Sequence, residues 1–285
     1  MFGVGLPTLP SIPFLMFGVI GIMIRFPRSE KQAWAAGRTA VHPFRNIRFQ
    51  AVIWTPRFPV KVSRVFSYFL GSYGQLFGGE PFSVDLPPDV PSEIPRAILR
   101  SEDGLTVLQA SADRLDMIRT VTPQGGAEVQ LSESLRLATD LFAGYLGIID
   151  GVAGRLACVL VRASTDDDPA WTLSRHFCRD EVLAGPINRP KEFELHALKR
   201  YSLDRGIEVN SWVRCRTGVQ QAVAEKPEQR VIVVEQDLNT VVDGDRAREF
   251  APDEMNAFFT PVSVELDRIL SLYFPPEGHS RWSAR

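Results

Sequence analysis

The residue types best suited to bind another molecule are an indole ring and two guanidinium groups on one predicted strand. In the segment IEVNSWVRCR (207–216) apolar and polar residues alternate, so Trp212, Arg214 and Arg216 lie on one strand face. Because Val213 lies on the other face, we expect that other face to point into the core. An indole flanked by guanidinium groups on an open sheet face suits a stacked base, a phosphate or an acidic protein surface.

The preceding predicted strand (192–203) adds two candidate binding residues. His196 and Arg200 share a face opposite to that of the strand's apolar residues. Glu194 and Glu208 lie on the same side of the sheet and are alternative partners for the arginines across strands. Two interpretations therefore stay open. The face is closed by internal ion pairs, or it is a binding surface formed by His196, Arg200, Trp212, Arg214 and Arg216.

Other clusters of reactive residues do not fit a catalytic or metal-binding pattern. The side chains of three successive acids at 166–168 cannot readily point at one cation. Asp168 is followed by a proline, so we expect it to be the N-cap of a helix. The acidic segment 237–245 lacks the glycine spacing of a calcium loop. His176 and Cys178 are two residues apart on a predicted helix and do not share a face. We therefore predict no catalytic residue, no metal and no cofactor, although an enzyme whose residues meet only in the fold stays open.

The composition is typical of globular proteins that need no disulfide bonds for stability. It has 285 residues, of which 45% are hydrophobic and 23% charged, so it can bury a large core without disulfides. The three cysteines are an odd number without close spacing, which favours reduced thiols and a cytoplasmic location. The formal net charge is −2.

The N-terminal part differs from the rest in charge and hydropathy. Residues 1–79 contain nine lysines or arginines and one acid, whereas the remaining chain is acidic. The apolar run 14–24 has eleven residues, too few for a membrane-spanning helix, which needs about 20. A weak membrane-surface anchor is one interpretation. We favour a second interpretation, in which the residues before Met23 are an upstream extension and the folded protein starts at Met23.

Hydrophobic periodicity predicts the same order of elements twice. The predicted helices span 62–76, 132–149, 168–178 and 252–274, and Pro261 should kink the last of them. The predicted strands span 47–54, 96–101, 105–111, 115–121, 155–164, 192–203, 207–216 and 230–238. Each half reads β-α-β-β-β-α, which predicts an α+β fold with a mostly antiparallel, curved sheet and helices packed on one face.

The domain organisation follows from these elements. We expect a basic, partly disordered N-terminal extension at 1–46, a first α+β half at 47–150, a second α+β half at 151–276 and a tail at 277–285. The internal duplication lies in the order of elements, since no repeat of residues is visible.

Several segments carry a resemblance to a known family: IRFQAVIWTPRF, RAILRSEDGLTVLQASADRLDMIRT, VIVVEQDLNT and the terminal helix APDEMNAFFTPVSVELDRILSLYF. Together they resemble an uncharacterised, sporadically distributed bacterial protein family with a strand motif that Gln109, Asp113 and Arg114 would match here. Asn239 replaces an acid of that pattern. The resemblance implies a bacterial origin and this fold, and no activity. The order of elements also looks like the duplicated saddle of the TATA-binding protein, at the level of fold only.

The sequence supports three functional hypotheses. The first is a non-enzymatic accessory protein of the bacterial cytoplasm that binds a partner protein through the open sheet face, with a homodimer as a further option. The second is a saddle-like nucleic-acid binder, which predicts salt-sensitive binding. The third is a small-molecule-binding domain with a pocket between the sheet and the C-terminal helix.

Overall fold

A computed structural model describes residues 44–55, 61–84, 87, 90–121, 128–179, 183, 189–220, 228–242 and 248–275. The predicted N-terminal extension, except its last three residues, and the predicted tail lie outside the described residues. The Met23 start and the proposed membrane-surface anchor fall there as well.

The described chain forms nine strands and four α-helices. The strands are β1 (Arg45–Trp54), β2 (Phe82–Ser83), β3 (Ala97–Arg100), β4 (Thr106–Ala110), β5 (Arg114–Thr120), β6 (Arg155–Thr165), β7 (Glu194–Leu203), β8 (Ile207–Gln220) and β9 (Gln229–Thr240). The helices are α1 (Val62–Tyr73), α2 (Leu131–Ile149), α3 (Pro169–Phe177) and α4 (Pro252–Tyr273).

All nine strands belong to one curved, antiparallel sheet, in the order β2-β3-β4-β5-β1-β6-β9-β8-β7. At its centre β1 pairs with β6, from Arg45 opposite Ala163 to Trp54 opposite Arg155. The α+β class and the antiparallel sheet that the sequence predicts are confirmed.

The helices pack against one face of the sheet, and the alternation of side chains decides which face that is. The buried apolar residues of the central strands belong to a single core cluster with residues of the helices. Polar side chains of the same face also reach the helices: the Gln236 amide donates to the Leu266 carbonyl of α4 at 2.7 Å. The central core positions are Phe49, Ala51, Ile53, Leu115, Met117, Leu156, Cys158, Leu160, Val234 and Leu238.

Helices α2 and α4 contact each other above the central strands. The rings of Phe142 and Phe259 lie with centroids 5.8 Å apart, and neither ring is exposed by more than 1%. Helix α4 continues through Pro261, which has no N–H for the carbonyl four residues earlier. A core shared by α2 and α4 ties the early and late parts of the chain together.

Two local predictions differ from the structure. Helix α1 ends at Tyr73, three residues before the predicted end, because the amides of Leu76 and Phe77 donate to the Tyr73 carbonyl in a closing turn. The proline-rich segment 80–95, for which the sequence predicted neither a helix nor a strand, contains the two-residue strand β2 at Phe82–Ser83. Elsewhere in the described ranges the predicted elements differ by a few residues at most.

Within the part of the chain that the structure describes, no helix has both the length and the apolar character needed to cross a bilayer.

The contact between Phe142 and Phe259 can be tested with a double-mutant cycle. Each Phe→Leu substitution should lower the free energy of unfolding by about 1–3 kcal/mol. The two effects should fall short of additivity by about 0.5–1.5 kcal/mol, because each variant alone already loses the ring contact. Urea unfolding measures these quantities. Phe69 of α1 provides the control, because its ring contacts those of Tyr68, Tyr73 and Phe77. The free-energy effects of Phe69→Leu and Phe259→Leu should therefore be additive.

Candidate binding surface

The sheet face opposite the four described helices carries the polar residues of the central strands. We call it the open face, and strand register aligns its side chains in rows across the sheet. One row runs from Asp116 through Val52, Ala157 and Asn239 to Asn210. The next row aligns Gln50, Val159, Asp237, Trp212 and Leu198.

The five predicted binding residues all lie on the open face. His196 is opposite Arg214, Arg200 is opposite Asn210, and Arg216 is opposite Glu194. The Arg214 guanidinium carbon lies 5.7 Å from the centroid of the Trp212 ring, which is the predicted cation–π pair. The structure thus brings His196, Trp212, Arg214 and Arg216 together, with Arg200 beside Asn210 at a Nε to Oδ1 distance of 3.4 Å.

The acids that neighbour these cations include one of the two that the sequence suggested, Glu194, and one that it did not suggest. Glu194 bonds His196, with 2.7 Å between Oε1 and Nε2, and this hydrogen bond lowers the pKa of Glu194. Glu208 accepts a hydrogen bond from the Ser202 hydroxyl. Arg214 donates to Glu235 of β9, a residue that the sequence analysis did not consider. Internal pairing therefore occurs on the open face, through Glu194 with His196 and Glu235 with Arg214.

A second aromatic cluster lies at the centre of the sheet, where β1 ends. The Trp54 ring has the guanidinium carbon of Arg155 at 4.6 Å and that of Arg114 at 5.6 Å from its centroid. Strand register explains this arrangement, because Trp54 is opposite Arg114 on β5 and opposite Arg155 on β6. No sequence pattern assigned Trp54 a role. Its register with two arginines becomes visible only once the strands are paired.

A buried carboxylate holds Arg114 in place. The Nε and Nη2 atoms of Arg114 donate to the two carboxylate oxygens of Asp116 at 2.6 and 2.9 Å. The Gln50 amide donates to the same carboxylate at 2.8 Å, and Gln50 in turn accepts from Arg48 at 2.9 Å. Burial raises the pKa of Asp116, which is 3% exposed, and the Arg114 and Gln50 hydrogen bonds oppose that rise.

A hydrogen-bonded chain runs from Arg155, beside Trp54, to Asp237 on β9 and Asn210 on β8. Arg155 donates to the Asn239 side-chain oxygen at 3.1 Å, and the Asn239 amide donates to Asp237 at 2.9 Å. Asn210 also donates to Asn239, at 3.4 Å. Burial raises the pKa of Asp237, while the Asn239 hydrogen bond and the charges of Arg214 and Arg155 oppose it. Asn239 thus connects Arg155 to Asp237.

The clusters that the sequence excluded as catalytic or metal-binding sites have structural roles where they are described. The Asp168 carboxylate accepts from the Trp171 amide at 3.3 Å and caps α3. The His176 ring contacts the Tyr273 carbonyl at 2.5 Å and stacks on Phe274, away from any role with Cys178. No group of three or more metal-ligating side chains occurs among the described residues. Asp243 and Asp245 lie outside them.

Arginine, tryptophan and carboxylate groups held in this way can recognise a surface but offer no arranged nucleophile and base. The guanidinium and carboxylate groups are mutually bonded, so the open face presents fixed donors, acceptors and ring faces. The open face is therefore a preorganised surface of mixed charge.

Comparisons with known proteins do not place the chain in a family. No family model matches it, and no curated protein matches it. Among solved structures, the di-domain ARO/CYC StfQ from the steffimycin biosynthetic pathway aligns over 80% of this chain and 94% of its own. The sequence identity is 10% and the TM-score is 0.11, so nothing about fold or function follows from this alignment.

Loss of Arg114 should expose the cost of the buried Asp116 carboxylate. Arg114→Gln should lower the free energy of unfolding by about 3–5 kcal/mol, because an uncompensated charge stays buried. Arg114→Gln/Asp116→Asn should recover most of that loss. Without the guanidinium, the folded-state pKa of Asp116 rises further above its unfolded value. The stability of Arg114→Gln should therefore be highest at acidic pH and fall as pH rises through that folded-state pKa.

Urea unfolding over a pH series measures both effects. Arg119→Gln is the matched control, since Arg119 pairs at 3.0 Å with Glu133, whose side chain is 55% exposed. That substitution should cost no more than about 1 kcal/mol. Equal stability of Arg114→Gln and Arg119→Gln across the pH range would contradict the proposed charge balance.

Proposed function

We propose that this chain is a non-enzymatic accessory protein of the bacterial cytoplasm that binds a partner protein through the open face. The observation that carries the proposal is the pair of indole rings on that face, each held by guanidinium groups. Trp54 contacts Arg155 and Arg114, and Trp212 contacts Arg214. Tryptophan and arginine are the residues most enriched at the energetic centres of protein interfaces.

The rigidity of these side chains supports a binding role. A ring or guanidinium fixed before binding loses less conformational entropy when a partner arrives. Asp116 fixes Arg114 through two hydrogen bonds, and Asn239 fixes Arg155. Both indoles keep part of their surface exposed, so a partner's side chains can reach them.

A nucleic-acid partner is the weaker alternative because acids already neutralise the arginines. Arg114 pairs with Asp116 and Arg214 with Glu235. A phosphate would have to compete with these carboxylates, and each uncompensated carboxylate would repel it. The formal net charge of −2 gives no long-range attraction to a polyanion either.

A small-molecule pocket between the sheet and α4 receives less support still. In the described part of that layer the α4 side chains are packed into the core: Phe259, Val262 and Leu266 are at most 1% exposed. A ligand there would have to displace packed apolar side chains.

We also infer that the architecture is duplicated, as the sequence predicts. Outward from the centre, β1 is followed by β5, β4 and β3, while β6 is followed by β9, β8 and β7. Each series places its first strand at the centre and its remaining strands in reverse chain order, and each contributes two helices. The relation to the sporadically distributed bacterial family stays a proposal, as does the saddle analogy, which concerns the fold only.

The test is to locate the partner-binding face and then remove its indoles. A photo-cross-linking residue at Val159, on the open face, should capture one specific protein in the native host. The same residue at Val264 of α4, which is 72% exposed on the helical side, should not. Trp54→Ala and Trp212→Ala should each weaken binding of the captured partner by about 30-fold, as loss of a central interface residue does.

Trp171 of α3 provides the matched control. Its ring also lies near two guanidinium groups, those of Arg189 at 5.2 Å and Arg175 at 5.9 Å, but on the helical side. Trp171→Ala should leave affinity unchanged. Equal effects of the three substitutions, or capture from Val264 alone, would contradict the assignment. Retention of nucleic acid that decreases steeply with salt would favour the alternative.

A further inference from the structure

The two edges of the sheet are built differently. At one edge, β2 has only two residues, Phe82–Ser83. At the other edge, β7 has ten residues and pairs with β8 at ten successive positions, without a bulge. Proteins usually shorten, bulge or cover an edge strand, because its unpaired backbone groups can accept another strand. β7 has the length and regularity that such pairing needs.

The outward backbone groups of β7 can be assigned from its ladder with β8. The Thr217 amide donates to the Phe193 carbonyl at 3.1 Å, so odd-numbered residues direct their backbone groups toward β8. The N–H and C=O groups of the alternate residues then point away from the sheet. These residues are all exposed: Glu194, His196, Leu198, Arg200 and Ser202.

We propose that β7 pairs with β7 of a second copy of this chain, in antiparallel register about a two-fold axis at Ala197. In this register His196 faces Leu198 of the second copy, and Glu194 faces Arg200. On the helical side, Phe193 faces Tyr201 across the axis. The sheet would then continue from one copy into the other.

Charge and size complementarity make a second copy the occupant that fits this edge. The register gives two Glu194–Arg200 pairs of opposite charge across the dimer and sets the small Ala197 side chains against each other at the axis. Lys199 faces the apolar Leu195, so no two like charges lie directly opposite. This dimer is independent of the partner proposed for the open face, which can bind or fail to bind either way.

A designed disulfide tests the register directly. Ala197 would form a non-hydrogen-bonded antiparallel pair with itself, at a Cα separation of about 4.5 Å, which a disulfide can bridge. Ala197→Cys in a Cys178→Ser background should therefore form a covalent dimer on mild oxidation. The buried Cys158 and Cys215 stay in place, and burial raises the pKa of Cys215 to about 12, which suppresses its reactivity.

Lys199→Cys in the same background is the control. Its copies would lie four residues out of register, about 13 Å apart along the strand, and should not cross-link. Rapid oxidation of Ala197→Cys with none of Lys199→Cys supports the axis. Cross-linking of Lys199→Cys alone, or of neither variant, overturns it.

A charge exchange tests the same register without oxidation. Glu194→Arg and Arg200→Glu should each weaken dimerisation about tenfold or more, since each turns two attractive pairs into repulsive ones. The double variant should regain wild-type dimerisation. Within one copy the two residues are six apart on an extended strand, so the recovery requires a second copy. Sedimentation over a concentration series gives the dimer constants, and a wild-type monomer at every concentration overturns the proposal.

Removal of one outward N–H gives a further contrast. Leu198→Pro eliminates a hydrogen bond to the second copy twice per dimer but none to β8, and should abolish dimerisation. Leu198→Ala keeps the N–H and should still dimerise. Equal dimerisation of the two variants, with unchanged circular dichroism, would show that β7 is not the interface.

Discussion

The antiparallel pairing of β1 with β6 is the constraint on which the rest of the structure depends. These strands lie at the centre of the sheet, so each is covered by strands on both sides. On one face their residues Phe49, Ile53, Leu156 and Leu160 are fully buried under the helices. Because α2 and α4 meet above this pair, through Phe142 and Phe259, both parts of the chain share one core. The two parts are therefore expected to fold together.

The same pairing determines what the open face must do. A central strand buries much of its second face against its neighbours even where no described helix covers it. Gln50, Asp116 and Asn239 are at most 8% exposed there, so their polar groups need partners within the sheet. They find them in one another and in Arg48, Arg114 and Arg155. This burial requires a fixed network, and that network holds the two guanidinium groups beside Trp54 in place.

This network explains why the open face favours selective recognition over strong general attraction. Its guanidinium groups are oriented but largely neutralised, so they offer directional hydrogen bonds and ring stacking more than net charge. At the outer edge the balance changes, because among the described strands β7 has a neighbour on one side only and carries both acidic and basic residues. The open face and the β7 edge therefore differ in physical character, and each suits a different kind of contact.

The sequence predicted the elements well where periodicity was strong. The alternation in β8 placed Trp212, Arg214 and Arg216 on one face, and register with β7 added His196 and Arg200 to it. Local signals also held, as Asp168 at the start of α3 shows. The sequence did not identify the acid that bonds Arg214, because Glu235 lies on β9 and its position opposite Arg214 depends on register between strands. The predicted end of α1 was wrong by three residues, because the apolar residues keep their helical spacing through the closing turn that follows the helix.

By itself, the sequence determined the α+β class, the antiparallel strands and the face that each strand residue occupies, because these follow from the periods of helix and strand. Only the tertiary structure decided that β1 and β6 are neighbours, that Trp54 lies between Arg114 and Arg155, and that β7 is the last of the described strands at one edge of the sheet. The physical reason is range. Periodicity and capping act within a few residues, whereas pairing joins strands about 100 residues apart by burial of a shared core, which no local pattern specifies.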